Sequence, residues 1–90
     1  MSTTTVAATP ADGWLSVYTG PTAAPITIEK STGTSAAHLA IDTAEPAIAT
    51  GHHIGNGELK NVVLEEGENL YVRCIDGLSP TSENIFTITD

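Results

Sequence analysis

Apolar and polar residues alternate in short runs along this chain, and the runs are separated by clusters of Gly, Pro, Ser, Thr and acidic residues. In residues 14–18 (WLSVY), Leu15 and Val17 share one side, opposite Trp14, Ser16 and Tyr18. In residues 26–30 (ITIEK), Ile26 and Ile28 oppose Thr27 and Glu29, and in residues 37–41 (AHLAI), Leu39 and Ile41 oppose His38. Residues 59–64 (LKNVVL) follow, then residues 70–75 (LYVRCI), where Leu70, Val72 and Cys74 face one way and Tyr71, Arg73 and Ile75 the other. The last run, residues 84–89 (NIFTIT), sets Phe86 and Ile88 on a common side. A period of two is the signature of half-buried strands. No window holds a 3.6-residue apolar period through three turns, so little or no helix is expected.

The punctuation between the runs fits this reading. The STGTS segment at 31–35 offers Gly33 for a positive φ, Pro46 denies a ladder hydrogen bond, and EEGEN at 65–69 is a charged turn. Six to seven short strands at spacings of roughly 10–15 residues predict an all-β fold, a compact antiparallel β-sandwich or barrel. Residues 1–13 carry Ser, Thr, Ala and Pro without periodicity and are expected to form an extended N-terminal arm, leaving residues 14–90 as the β-sandwich domain. The abundance of Thr and Ala and the scarcity of Leu, Lys, Arg and Gln favour strands over helices in the same way.

Ninety residues make at most one domain. A chain of that length buries a modest share of its surface and usually needs a staple. Cys74 is the single cysteine, so no disulfide can form within the chain, and a homo-oligomer is the expected staple. The net charge is −8, and Lys30, Lys60 and Arg73 are the only cations besides histidine. Three scattered cations cannot neutralise a row of phosphates, so neither nucleic acid nor an anionic membrane is an expected partner. No run approaches the roughly 20 apolar residues of a membrane helix, and residues 1–13 lack the cationic start and apolar run of a signal peptide.

The segment at 51–58, GHHIGNGE, raises the question of chemistry most directly. Imidazoles suit zinc, copper and nickel, but His52 and His53 would point to opposite faces of an extended strand. No third or fourth ligand stands at a recognisable spacing, so no metal and no other cofactor is expected. The Asn-Gly pair instead predicts a glycine-set turn, with the two histidines as loop contacts. Cys74, on the inward side of its strand, reads as a small hydrophobe rather than a nucleophile. Glu65, Glu66 and Glu68 lie on one turn rather than across a cleft, which suits a solvated acidic patch and not glycoside hydrolysis. Neither GxSxG nor a glycine-rich phosphate loop is present, and an enzyme is not expected.

One ordering of features resembles a known group. Gly51, Ile54, Gly57 and Glu58 lead into Leu64, Gly67 and Glu68, and then into Leu70, Tyr71, Val72 and Arg73. This strand–turn–strand pattern is similar to that of small all-β virion proteins of tailed bacteriophages, the head decoration or cement proteins and related capsid or tail accessory proteins. The resemblance implies a non-catalytic structural role on the capsid exterior, with many copies binding and stabilising the shell. Its partners would be the major capsid protein or neighbouring virion subunits, with a trimer as the favoured homo-oligomer. The partner contacts expected on this reading are Val6 of the arm, Trp14 just after it, His52 and His53, and the acidic pair Glu65 and Glu66. Two other readings stay open. A glycan-binding attachment module of a fibre or spike would expose Trp14, Tyr18 or Tyr71 on one face. An acidic inhibitor mimicking nucleic acid would use the −8 charge.

Overall fold

The computed structural model describes residues 3–33, 36–46, 51–75 and 81–90. Eight strands are present among them: β1 (Thr3–Ala8), β2 (Leu15–Thr19), β3 (Ile26–Thr32), β4 (Ala37–Asp42), β5 (His52–Ile54), β6 (Leu59–Val62), β7 (Asn69–Cys74) and β8 (Asn84–Thr89). They form two four-stranded sheets, ordered β1-β8-β3-β6 and β2-β7-β4-β5, with every neighbouring pair antiparallel. The fold is all-β and sandwich-like, as the alternation predicts. The strand count exceeds the expected six to seven because β1 and β5 arise in segments read as arm and loop.

The alternation of the two inner strands builds the shared core. Ile26, Ile28, Phe86 and Ile88 come from β3 and β8, and Ala37, Leu39, Leu70, Val72 and Cys74 from β4 and β7. Ile54, Val62 and Leu64 close the side where the two hairpin edges approach. β7 is buried on both faces at its centre, where Leu70, Tyr71 and Val72 are all buried. A central strand covered on both sides explains why this run is the most apolar in the chain.

The expected arm is part of the sheet. Thr3–Ala8 pairs with β8 through six consecutive partners, from Thr3↔Thr89 to Ala8↔Asn84. Val6 sits opposite Phe86 and packs on the core, and Ala8 is buried. Only those two apolar side chains point inward, too few for a period to be visible in the sequence. The β-branched threonines nevertheless favour a pleated strand once β8 supplies the ladder. A 3-10 turn at Pro10–Asp12 then carries the chain to the second sheet. Thr9 N–H donates to Asp12 Oδ2 at 2.8 Å, and Asp12 N–H to Thr9 O at 3.0 Å, which fixes the corner.

His52 and His53 are likewise strand residues rather than loop contacts, because β4 offers a free edge with which His52–Ile54 pairs. The positive φ expected at Gly33 is found (137°); Gly57 (77°) and Gly67 (85°) also have it, whereas Asn56, before Gly57, does not. Of the segments named above, Thr34 and Ser35, residues 47–50 and residues 76–80 lie outside the described residues.

Candidate functional site

The residues singled out in the sequence do not converge on one site. Trp14 is 8% exposed and is a core residue, not a surface anchor. Val6 is half-buried on β1. Glu65 and Glu66 are exposed at the turn between β6 and β7, on a frame of short-range bonds. There the Glu65 N–H donates to Glu68 Oε1 at 2.7 Å and the Glu68 N–H to Glu65 O at 3.1 Å. Glu68 is thus committed to the turn, while the Glu65 and Glu66 carboxylates face solvent.

The double histidine divides as strand geometry requires. His53 pairs with His38 across the β4–β5 ladder, and the two rings meet edge to face at 5.9 Å between centroids. His38 is held by the Gly51 N–H, which donates to His38 Nδ1 at 3.0 Å. His38 also pairs with Arg73 on β7, so His53, His38 and Arg73 form one row on the outer face of the second sheet. Among the described residues Arg73 Nε is buried without a hydrogen-bond partner, a donor that an oxygen acceptor would satisfy. His52 points the other way. It lines a cleft of about 260 Å³ between β4 and β6, beside Leu39, Ile41, Lys60, Val62 and Val63. Ile41 and Val63 are 44% and 59% exposed there. No group of three His, Cys, Asp or Glu side chains among the described residues could hold a metal ion.

Lys30 is the residue the sequence reading missed. It is 1% exposed, points into the core opposite Phe86, and its Nζ donates to Asn56 Oδ1. Asn56 Nδ2 in turn donates to Gly33 O at 2.9 Å, and the Gly57 N–H to Lys30 O at 2.7 Å. One buried amine thus fastens the Asn-Gly turn to β3. The signal was available: Lys30 shares the parity of Ile26 and Ile28, so the alternation that places them inside places Lys30 inside too. Asn84, at the parity of Phe86 and Ile88, is buried by the same rule and donates to Ser82 O at 3.1 Å.

Burial pushes the Lys30 amine below its ordinary 10.5, with Cys74 opposing. Burial likewise pushes the Cys74 thiol above its ordinary 9.0, with Lys30 opposing and Asp12 adding to the rise. The two groups tilt stability in opposite directions. The unfolded chain holds the Lys30 proton up to pH 10.5 while the folded chain releases it earlier, so Lys30 makes stability rise with pH up to that point. The folded chain keeps the Cys74 proton that the unfolded chain loses near pH 9.0, so Cys74 makes stability fall above it. Urea midpoints measured from pH 9.0 to 10.5 check this. Relative to the parent, Cys74→Ala is expected to gain stability across that window and Lys30→Met to lose it. Parallel curves for all three chains would refute the assignment.

On the acid side, Glu58 is the group held down. Gly55 N–H donates to its Oε1 at 2.8 Å and Lys60 Nζ lies 3.2 Å from its Oε2, so its carboxyl titrates below the ordinary range. The backbone bond is the larger cause and the lysine the second. The thiol is buried and kept protonated, the amine is tied to a turn, and the placed carboxylates cap turns. Trp14 and Tyr71 are each 8% exposed, and the Tyr18 hydroxyl donates to Asp90 Oδ2 at 3.0 Å, so the three rings form no open stacking platform for a sugar.

The surfaces left to the outside are the two sheet faces, the sheet edges and the acidic turn. The outer face of the first sheet is a hydroxyl field. Thr3 and Thr89 Oγ1 atoms lie 3.4 Å apart, Thr27 Oγ1 donates to Asn61 Oδ1 at 3.0 Å, and Ser31 and Thr87 hydroxyls share a bond of 2.7 Å. No family model matches the chain, and neither a curated protein nor a solved structure is significantly similar to it.

Proposed function

We propose that this chain is a non-catalytic structural subunit that works by contact with other proteins, and that its setting is the exterior of a tailed-phage shell, which it decorates and stabilises. One observation carries the first half. The Cys74 thiol and the Lys30 amine are absorbed by the fold, whereas flat faces, strand edges and the Glu65–Glu66 turn are presented outward. The phage setting rests on the turn-and-strand resemblance from Gly51 to Arg73. A glycan-binding reading has less support, because two of the three rings it needs are buried. The carboxylates gather at turns rather than in rows, which weakens the nucleic-acid mimic.

The acidic turn is the contact this reading favours for a basic capsid surface. Charge at an interface rim acts mainly on encounter and specificity and is screened by salt. The purified chain is expected to co-sediment with shells built from the major capsid protein of the same genome. Replacing both Glu65 and Glu66 by Lys is expected to weaken occupancy several-fold at low salt and less at high salt. Absence of the parent chain from the shell pellet would end the phage-shell proposal. Full occupancy by the double variant would move the contact away from this turn.

A further inference from the structure

Among the described residues the two open sheets leave four strand edges: β1 and β6 in one, β2 and β5 in the other. A free edge is a row of unpaired N–H and C=O groups that can template pairing with another chain. Folds usually blunt it by shortness, a bulge, an inward charge or a proline. Three of these edges carry such a device. β5 is three residues long. The ladder of β2 with β7 slips between Ser16 and Tyr18, which bends that edge. β6 carries Lys60 at the inward parity, opposite buried Ile28.

β1 carries none of them. Its six residues, Thr-Thr-Thr-Val-Ala-Ala, include no charge and no proline. Its ladder with β8 runs through six pairs without a slip, so the strand is regular along its length. Charge supplies the argument for what covers it. On a chain of net charge −8, a second copy is repelled over much of the surface, and a neutral strand is a place where two copies can meet at low electrostatic cost.

We propose that β1 is a self-pairing edge: two copies join β1 to β1 antiparallel and fuse their first sheets into one continuous eight-stranded sheet. The symmetry is isologous and closes at two copies. Side-chain parity fixes the register further. Both cores must lie on the same side of the fused sheet, so outward residues must oppose outward residues. The two-fold axis therefore passes at a residue position, not between positions, and we place it at Thr5, which sets Thr5 against Thr5 of the second copy. With Thr5 at the axis, Thr4 faces Val6, Thr3 faces Ala7, and the hydroxyl field of Thr3, Thr5, Thr87 and Thr89 continues across the joint.

Six residues of edge contact fall well short of the roughly 1,200 Å² that stable complexes bury. Free in solution the pair is therefore weak, and it strengthens where copies are held close together on a larger surface. The proposal does not depend on the shell reading. Pairing without shell binding would sink the function and spare the edge, and shell binding by strict monomers would do the reverse.

Sedimentation velocity over a concentration series, combined with amide hydrogen exchange on residues 3–8, tests it. The parent chain is expected to show a concentration-dependent dimer in which outward β1 amides slow as concentration rises. Thr5→Lys, with unchanged melting because Thr5 is exposed, is expected to weaken association at least tenfold. Thr5→Glu is expected to do the same, and an equimolar mixture of the two variants should recover it, because the opposed residues then carry opposite charges. Ser16→Lys on the bulged edge should leave association unchanged. A chain that stays monomeric at every concentration overturns the proposal. So does association that survives both Thr5 variants, fails to recover in the mixture, or is lost in Ser16→Lys.

Discussion

Replacing Phe86 by alanine is expected to bring the domain close to global unfolding. Phe86 is the chain's only phenylalanine and is fully buried. It stands on β8, between Val6 of β1 and Lys30 of β3, so its ring fills the middle of the first sheet's inner face. Truncating a buried Phe to Ala costs roughly 3–5 kcal/mol, part transfer energy and part unfilled cavity. A 90-residue domain has roughly 5–13 kcal/mol in total. With about 4–8 °C of Tm per kcal/mol at this size, the variant is expected to melt at least about 12 °C lower. Trp14, the only tryptophan and itself buried, gives a fluorescence signal for the transition. Phe86→Leu keeps most of the volume and is expected to cost about 1.5 kcal/mol or less. Equal, small shifts for both variants would show that β8 does not organise the core.

Gly33→Ala is expected to destabilise by about 2–5 kcal/mol, from two sources that a second glycine separates. Gly33 has φ 137°, and a Cβ there would fall 1.9 Å from Asn84 Oδ1 and 2.8 Å from Asn84 Cβ. Asn84 has little room to retreat, since it is fully buried and donates to Ser82 O. Left-handed strain alone costs about 1–2 kcal/mol, and overpacking adds about 1–3 kcal/mol. Gly57 also has a positive φ, 77°, but a Cβ there meets nothing within 4 Å. Gly57→Ala is therefore expected to show the strain without the collision, about 1 kcal/mol. Chemical denaturation of both variants checks the difference. If they lose equal stability, the Gly33–Asn84 contact is not a constraint.

Residues whose fate depended on period two were legible in advance. Ile26, Ile28, Leu70, Val72, Cys74, Phe86 and Ile88 all face the core at the parity the sequence assigns. Lys30 and Asn84 obey the same parity, which the sequence analysis did not extend to them. β1 was not legible, since Val6 and Ala8 are its only inward apolar residues and small polar residues carry no periodicity. β5 was obscured by the glycines around it, because three residues are too few to show a pattern. Of the candidate surface, the acidic turn could be read directly from EEGEN. The row of His53, His38 and Arg73 joins positions 15 and 35 residues apart from His38 and comes into being only through two ladders.

The sequence by itself determined the class of the fold, the inward residues of its inner strands, the glycine-set turns and the strongly acidic balance of the chain. These follow from local alternation, backbone freedom and net charge, which need no partner to be defined. The tertiary structure alone decided that residues 3–8 are a strand and that a buried lysine holds the Asn-Gly turn. It also decided which of the four edges is left without protection. Each of these depends on which strand lies beside which, and strand pairing is set by contacts between residues far apart in the chain, such as Thr3 with Thr89.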